Sequence, residues 1–292
     1  MGNNINYAVL FENELKQKYS RELLTNKLTT ENINYFGANT IKIPFIGLSG
    51  YKFHKRDGGF NRSAVKNENM VKTLNHDRDI EFFVDTMDID ETNQVLAATN
   101  LTNVFESEHA IPELDAYRIS KIFNEYAALG HNICDKIINS KNILEIYDDF
   151  MQEMDENEVP AEGRLLFVTP EINKMLSQTE GINRIMNAVS SKSRINRTIR
   201  MLDEVQIIVV PKSRMKTEYN FEDGFVALDT AKQINMLLIH PSSVIAANKH
   251  NYIKLWSPGT HTLGDGYLYQ NRQYSDIFVL STRAKGIAIN AR

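Results

Sequence analysis

A long pair of half-polar strands constrains the fold of this chain more than any other feature. In TIKIPFIGLSGYKFHKRDGGFNRSAV, apolar residues occupy every second position from Ile41 to Phe45, which is the period of a β-strand. Gly58-Gly59 marks a turn, and NMVKTLNHDRDIEFFVD then alternates in the same way around Ile80. A hairpin with so little apolar surface is unstable in isolation. We therefore expect it to lie on another surface, most economically that of a partner subunit.

Two details indicate where this hairpin lies and what it presents. Pro44 has no N–H donor, so it predicts an edge strand rather than a central one. Around the turn, the only acidic residue between positions 52 and 62 is Asp57, and it is outnumbered by basic residues. These are Lys52, Lys55, Arg56 and Arg62. The tip of the hairpin is therefore predicted to be basic.

The second strand runs into an acidic cluster in HDRDIEFFVDTMDIDETNQ, residues 76–94. A calcium-binding loop needs oxygen ligands at alternate positions, a central glycine and a closing glutamate. Neither the register that starts at Asp85 nor the one that starts at Asp88 meets these requirements. Acids are also common in the first turn of a helix. We therefore predict no metal here, but a strand end followed by a helix with Asp88 or Asp90 as its N-cap.

Helical periodicity recurs at three further places. Residues 5–28 are predicted to form an amphipathic arm. A long helix with Pro112 at its first position is predicted for HAIPELDAYRISKIFNEYAALG. NILEIYDDFMQEMDENE is predicted to be a helix whose outer face is acidic.

Short strands and helices alternate in the second half of the chain. RLLFV predicts a buried strand, and TPEINKMLSQ a helix with Thr169 as N-cap and Pro170 at its first position. EVQIIVVP and INMLLIH predict two more strands, and the proline of PSSVIAANKH predicts another helix start. YIKLW, YSDIFVLST and KGIAIN complete the strands. Together these elements indicate the α+β class.

The sequence lacks the motifs that usually mark catalytic and cofactor sites. GxGxxG, GxxxxGK[ST], HExxH and GxSxG are all absent. The single cysteine, Cys134, excludes an internal disulfide, and the seven histidines have no metal-ligand spacing. No apolar run reaches the length of a membrane span. We therefore predict no catalytic, cofactor-binding or metal-binding residue and no membrane association.

A basic segment stands out against the net charge of −4. Residues 181–202 contain no acid, and five basic residues: Arg184, Lys192, Arg194, Arg197 and Arg200. The basic arc from 184 to 216 is either a solvated loop, or a surface for the acidic helix of a neighbour or for nucleic-acid phosphates. Aromatic residues that would stack on bases are missing from residues 181–202.

Six blocks, in this order, resemble the major capsid proteins of tailed bacteriophages with the Hong Kong 97 phage-type fold, most closely those of phages of Gram-positive hosts. The resemblance covers nearly the whole chain and rests on the order of the blocks rather than on one signature. The blocks are GANTIKIPFIGLSGYKFHKRDGGFNRS, HDRDIEFFVDTMDIDETN, AIPELDAYRISKI, RLLFVTPEINKML, VQIIVVPKSRM and INMLLIHPSSVIAANKHNYIKLWSP.

The resemblance implies four structural regions. Residues 1–38 would be an N-terminal arm, and 39–85 an extended hairpin loop that overlies the adjacent subunit. Residues 86–140 and 261–292 would form a peripheral domain with a spine helix at 111–129. Residues 141–260 would form an axial domain at the symmetry axis of the capsomer.

The resemblance also implies a function and partners. The chain would assemble with itself into pentamers and hexamers of an icosahedral shell around the double-stranded DNA genome, touching DNA without sequence specificity. It would be part of the virion, be assembled in the cytoplasm of the host bacterium, and have no enzymatic activity. Because the recognisable arm starts at Met1, we expect a separate scaffolding protein, together with a portal.

The resemblance suggests a role for the acids as well. Asp85, Asp88, Asp90 and Glu91 would mark the hinge where the loop leaves the body. Our hypothesis is that they pair with basic residues at the tip of a neighbouring hairpin.

Three alternatives remain open at the level of sequence. An encapsulin-like nanocompartment shell would share the fold but enclose an enzyme. A tail or baseplate protein of the same phage would form particles of another shape. A metal-dependent α/β hydrolase would use the acids between Asp85 and Glu91, although no second set of ligands is visible.

Overall fold

The computed structural model describes residues 23–31, 33–37, 39–54, 61–63, 66–87, 98–179 and 201–292. The strands are β1 (Tyr35–Phe36), β2 (Thr40–Gly47), β3 (Lys66–Thr73), β4 (His76–Val84), β5 (Leu165–Val168), β6 (Met201–Leu202), β7 (Val205–Val209), β8 (Tyr219–Asn220), β9 (Val226–Ala227), β10 (Ile234–Ile239), β11 (Val244–Trp256), β12 (Tyr267–Val279) and β13 (Ile287–Ala291). The α-helices are α1 (Ala98–Phe105), α2 (Ile111–Ala128), α3 (Ile143–Glu156) and α4 (Pro170–Gln178). None of the described helices is long and apolar enough to cross a membrane.

The projecting hairpin consists of β2 and β3, which pair antiparallel from Thr40 opposite Thr73 to Gly47 opposite Lys66. β1 adds a third strand but pairs only with residues 40 and 41 of β2. β2 is therefore an edge strand at Pro44, as the missing N–H donor predicts.

The second limb of the hairpin is shorter than the sequence suggested. It ends at Thr73, and the alternating residues around Ile80 belong to β4, which pairs with β12 from His76 opposite Ser275 to Val84 opposite Tyr267. β4 leaves the hairpin because its apolar residues have a partner in the body: Ile80 and Phe82 pack on a cluster that contains Tyr269. The strand order in this second sheet is β11-β12-β4.

A five-stranded sheet, in the order β13-β10-β5-β7-β6, forms the centre of the protein. β5 is buried along its whole length because helices cover both faces of the sheet. Leu165 and Phe167 face the core that contains α2, while Leu166 and Val168 face the core that contains α3 and α4. The predicted strands and the helices α2, α3 and α4 are therefore present.

The C-terminal strands divide between the two sheets. β12 pairs with β4, whereas β13 pairs with β10 in the five-stranded sheet, and the expected division into peripheral and axial domains stays a prediction. The proline of PSSVIAANKH starts only a single 3-10 turn, Pro241–Ser243, and β11 follows at once. β11 and β12 pair over most of their lengths, from Val244 opposite Val279 to Trp256 opposite Leu268, and this long ladder replaces the predicted helix.

Pro112 does not begin a new helix, contrary to the sequence prediction. α1 continues through a π-helical turn, Glu106–Ala110, directly into α2. A proline inside a helix cannot donate the usual bond to the carbonyl four residues earlier. The wider turn just before Pro112 accommodates that loss, since π-turns widen the helix locally.

Two buried charges on α2 hold the N-terminal segment of the described chain. Asp115 accepts hydrogen bonds from the backbone N–H of Thr25 at 2.9 Å and from its hydroxyl at 2.8 Å, and it forms a salt bridge with Arg214 at 3.2 Å. Arg118 donates to the carbonyl oxygen of Thr25 and to Asn248 Oδ1, each at 3.2 Å. Burial raises the pKa of the Asp115 carboxyl, and the hydrogen bonds from Thr25 oppose that rise. Of the predicted helix over 5–28, the last five residues form a 3-10 turn, Leu24–Leu28, and residues 5–22 lie outside the described part of the chain.

A second buried carboxylate, Asp276 on β12, fixes the base of the hairpin. It accepts hydrogen bonds from the backbone N–H of Asn75 at 2.9 Å and the hydroxyl of Tyr117 at 2.9 Å, and it pairs with Lys121 at 2.5 Å. His76 stacks on Tyr117 with ring centroids 3.8 Å apart. Burial, with a smaller contribution from Arg78, lowers the pKa of His76 to about 4.

Replacing Asp115 with alanine is expected to destabilise the chain by about 3–5 kcal/mol, because Arg214 would lose its buried ion-pair partner and the N–H and hydroxyl of Thr25 would lose their acceptor. Urea unfolding followed by the fluorescence of the only tryptophan, Trp256, measures this change. Glu171→Gln is the matched control, since Glu171 pairs with Lys212 on the surface, and it should leave the midpoint essentially unchanged. Equal midpoints for the two variants would contradict the account.

Acid is expected to weaken the folded state through His76. The pKa of His76, about 4, lies below the ordinary value of 6.5. Its contribution to the free energy of unfolding is therefore complete above pH 6.5 and is lost as the pH falls toward 4. The loss should reach about 3 kcal/mol. His76→Phe keeps a ring against Tyr117 but cannot titrate, so its unfolding free energy should fall less steeply over this window. Parallel pH profiles for the two proteins would refute the assignment.

Candidate assembly surface

Asp85, which is the one predicted hinge acid among the described residues, does not lie where the hairpin leaves the body. The hairpin base is closed by a hydrogen bond from the N–H of Leu74 to the carbonyl of Asn39, 2.8 Å long. Asp85 lies at the opposite end of β4, which at about 3.3 Å per residue places it about 30 Å from His76. Asp85 is therefore separated from the base of the hairpin by the whole length of a strand.

Asp85 itself has a local structural role. Its Oδ1 accepts a hydrogen bond from the backbone N–H of Met87 at 2.8 Å, where the chain makes a short helical turn. An acid that accepts such a bond is a typical cap, which agrees with the helix-start interpretation of this stretch. The N-cap was expected at Asp88 or Asp90, and these two residues and Glu91 lie outside the described residues.

The base of the hairpin is fixed by apolar and charged contacts together. Ile41 and Leu74 are buried against Phe278 of β12. Lys72 on the second limb lies 3.8 Å from the carboxylate of Glu125 on α2. That carboxylate also accepts a hydrogen bond from the N–H of Val279 at 2.7 Å. The hairpin is thus attached to both the sheet and the long helix.

The basic tip is only partly described. Lys52 and Arg62 are exposed, one on each limb beyond the paired strands, whereas Lys55 and Arg56 lie outside the described residues. No described acid forms a salt bridge with Lys52 or Arg62.

Side-chain bonds keep the limbs together near the tip. The hydroxyls of Ser49 and Ser63 form a hydrogen bond, and Asn61 Nδ2 donates to the carbonyl of Phe53 at 2.8 Å. The hairpin therefore extends beyond the last β2–β3 pair.

The tip also presents apolar side chains that the sequence analysis did not weigh. Tyr51 and Phe53 are fully exposed, and Leu48 is 74% exposed. Large apolar groups in full contact with water are characteristic of surfaces that another molecule covers. The signal in the sequence was the run of apolar residues at positions 46, 48, 51 and 53, which continue past the paired strand beside the basic residues.

A groove of 510 Å³ runs along the inner face of β4. Its walls are β4, the π-turn with the start of α2, and the loop that contains Glu222 and Asp223. Phe82 and Phe105 meet edge to face along it, with ring centroids 5.4 Å apart. The groove thus combines aromatic side chains with acids in one concave surface.

One ion pair lines the groove, and one buried carboxylate bonds to Asn271, which also lines it. Arg78 donates to Glu113 at 2.7 Å, and burial raises the pKa of Glu113 against the effect of that arginine. Glu106 is fully buried and accepts bonds from the hydroxyl of Tyr269 at 2.7 Å and from Asn271 at 2.6 Å. On the opposite face of β4, Arg272 and Asp77 pair at 2.6 Å.

Metal binding is not supported by the part of the chain that the structure describes. Among those residues, no group of three or more His, Cys, Asp and Glu side chains is arranged to hold an ion. Three of the acids considered for such a site, Asp88, Asp90 and Glu91, lie outside this set. The absence of a metal site in the acidic stretch therefore stays a prediction.

Comparison with solved structures identifies the fold. The mature capsid of bacteriophage PhiM1 is similar with a TM-score of 0.63 at 13% identity, over 87% of this chain and 82% of that one. The capsid of the cyanophage P-SCSP1u has a TM-score of 0.59 at 14% identity, over 90% of this chain and 86% of the other. The capsid of Staphylococcus phage Andhra has a TM-score of 0.55 at 10% identity, over 91% and 83% of the two chains.

Neither a protein-family model nor a curated protein matches the sequence. The matched phages have different named hosts at similarly low identity, so the likeness to phages of Gram-positive hosts stays a prediction. The structural likeness extends over most of the chain. The chain has the fold of tailed-phage capsid proteins, the Hong Kong 97 phage-type fold that the sequence blocks suggested.

Proposed function

We propose that this protein is the major subunit of an icosahedral phage capsid. The observation that carries this proposal is the projecting hairpin, fixed at its base and apolar at its tip, on a fold shared with phage capsids. A shell of repeated subunits covers such a tip, because each hairpin reaches a neighbour in the same way around a symmetry axis.

None of the described residues covers this tip. From Thr40 to Phe53 the limb spans about 40 Å if it is extended. A compact chain of this size has a radius of gyration of about 19 Å. The tip therefore projects beyond the body by a distance comparable to the body itself, which suits contact with an adjacent subunit.

The finer features of the proposal follow from the resemblance. Pentamers and hexamers would form the shell, with a portal and a separate scaffolding protein as partners, in a virion assembled in the host cytoplasm. Double-stranded DNA would be bound inside without sequence specificity. The basic segment at 184–216 is a candidate for that contact, although residues 180–200 lie outside the described residues. The role is structural rather than enzymatic.

Size-exclusion chromatography followed by negative-stain microscopy of the purified protein tests the proposal. We expect rings of five or six subunits, or closed icosahedral shells. A monomer that persists at high concentration and with a scaffolding protein would overturn it. Shells that purify with an enzyme inside would instead indicate an encapsulin-like compartment, and elongated particles a tail or baseplate protein.

Shortening the hairpin separates folding from assembly. Replacing residues 48–65 with Asn-Gly should leave the β2–β3 pairs intact, because Asn-Gly suits a two-residue hairpin turn between Gly47 and Lys66. We expect a folded protein whose unfolding midpoint stays near that of the isolated wild-type subunit but which no longer forms shells. Normal shells from this variant would show that the tip is not an assembly contact.

The pairing between tip and acidic stretch has its own test. Arg56→Asp and Asp88→Arg should each impair assembly if these residues meet across a subunit boundary, and the double variant should restore it. Failure of the double variant to restore shells would remove this contact from the proposal but leave the shell function untouched.

A further inference from the structure

We propose that the groove along β4 receives the hairpin tip of a second copy of this chain. The inference rests on the proposed function and adds the surface on which the tip lies. The occupant would be the segment around Tyr51 and Phe53, with Lys52 and Arg62 facing the acidic rim.

The floor of the groove suits aromatic side chains. Ile80, Phe82, Phe105 and Leu114 all line it. Phe82 also stacks on Tyr269, with ring centroids 6.1 Å apart, so the floor continues into the body as an aromatic cluster. A volume of 510 Å³ lies within the range of about 300–1,000 Å³ typical of clefts that bury a compact organic group.

The rim of the groove is acidic. Glu113, Glu222 and Asp223 border it against one guanidinium, that of Arg78. Glu113 is neutralised by its pair with Arg78. Glu222 and Asp223 form no salt bridge with any residue that the structure describes. The unneutralised charge of the rim is therefore negative.

The hairpin tip is complementary in both respects. Tyr51 and Phe53 supply exposed aromatic surface, and the flanking Lys52 and Arg62 supply positive charge. The sequence adds Lys55 and Arg56 to the same segment. Opposite charges around an apolar centre are the usual organisation of a specific protein interface.

The geometry excludes the chain's own tip as the occupant. The groove starts at His76, beside the base of the hairpin, while Phe53 lies about 40 Å along the limb. Eight consecutive strand pairs and the bond from Asn61 to Phe53 keep the limbs extended together. A hairpin held in this way cannot fold back onto its own base, so a second copy must supply the tip.

Charge reversal with rescue in the full-length protein is the first test. Lys52→Glu with Arg62→Glu, and separately Glu222→Lys with Asp223→Lys, should each lower the yield of shells about tenfold, because like charges would then face each other. All four changes together should restore most of the yield. Adding Asp88→Lys to the reversed tip is the matched control and should not restore it. If Asp88→Lys added to the reversed tip restores the yield of shells, the groove assignment is overturned in favour of the acidic stretch.

Cysteine crosslinking gives a second readout that does not depend on charge. In a Cys134→Ser background, checked first for normal shells, Lys52→Cys with Asp223→Cys should form disulfides between subunits in assembled particles. The control pair is Lys52→Cys with Lys285→Cys, which places the second thiol on the exposed 3-10 turn before β13. This pair should not form disulfides between subunits. Shells that assemble without the first crosslink would overturn the inference alone. A wild-type protein that never assembles would overturn the proposed function instead.

Discussion

The burial of charged side chains on α2 is the interaction on which the rest of the structure depends. Asp115, Arg118 and Lys121 follow one another at intervals of three residues and so lie along one side of the helix. Each contacts a different part of the chain: the segment near Thr25, β11 through Asn248, and β12 through Asp276. An unpaired charge in such a position costs several kcal/mol, so these contacts favour one arrangement of the surrounding elements over others.

In this arrangement the base of the hairpin is fixed to the body of the protein, whereas the side chains at its tip are exposed. Lys72 and Asn75 connect the base to α2 and β12, and Leu74 is buried between them. Beyond the paired strands, apolar side chains face water without cover from the described chain. A projection of this kind transmits contact at its tip to the body of the subunit, which suits a protein that works by holding identical neighbours.

Much of the central fold could be predicted from the sequence, because its signals are local. RLLFV and INMLLIH are continuous apolar runs, and helices on both faces of the sheet bury them. The apolar face of α3 could also be predicted from helical periodicity. Ile143, Tyr147 and Met154 lie on that face, and all three are buried.

The errors arose where a local pattern allows two solutions. An alternating strand such as β4 shows which residues face inward but not which sheet it joins, so it was placed in the hairpin instead of beside β12. Pro241 suits the start of a 3-10 turn as well as that of an α-helix, and Pro112 suits a π-turn junction as well as a first turn. At the candidate site, the charges of the tip were predicted, but Tyr51 and Phe53 were overlooked because only the structure shows that none of the described residues covers them.

The most direct measurement is a cryo-electron microscopy reconstruction of the particles formed by the purified full-length protein. Our account predicts a closed icosahedral shell of pentamers and hexamers, in which Tyr51 and Phe53 of each subunit are buried by the adjacent one. A symmetric shell in which every hairpin tip remains in solvent, or particles without icosahedral symmetry, would contradict it.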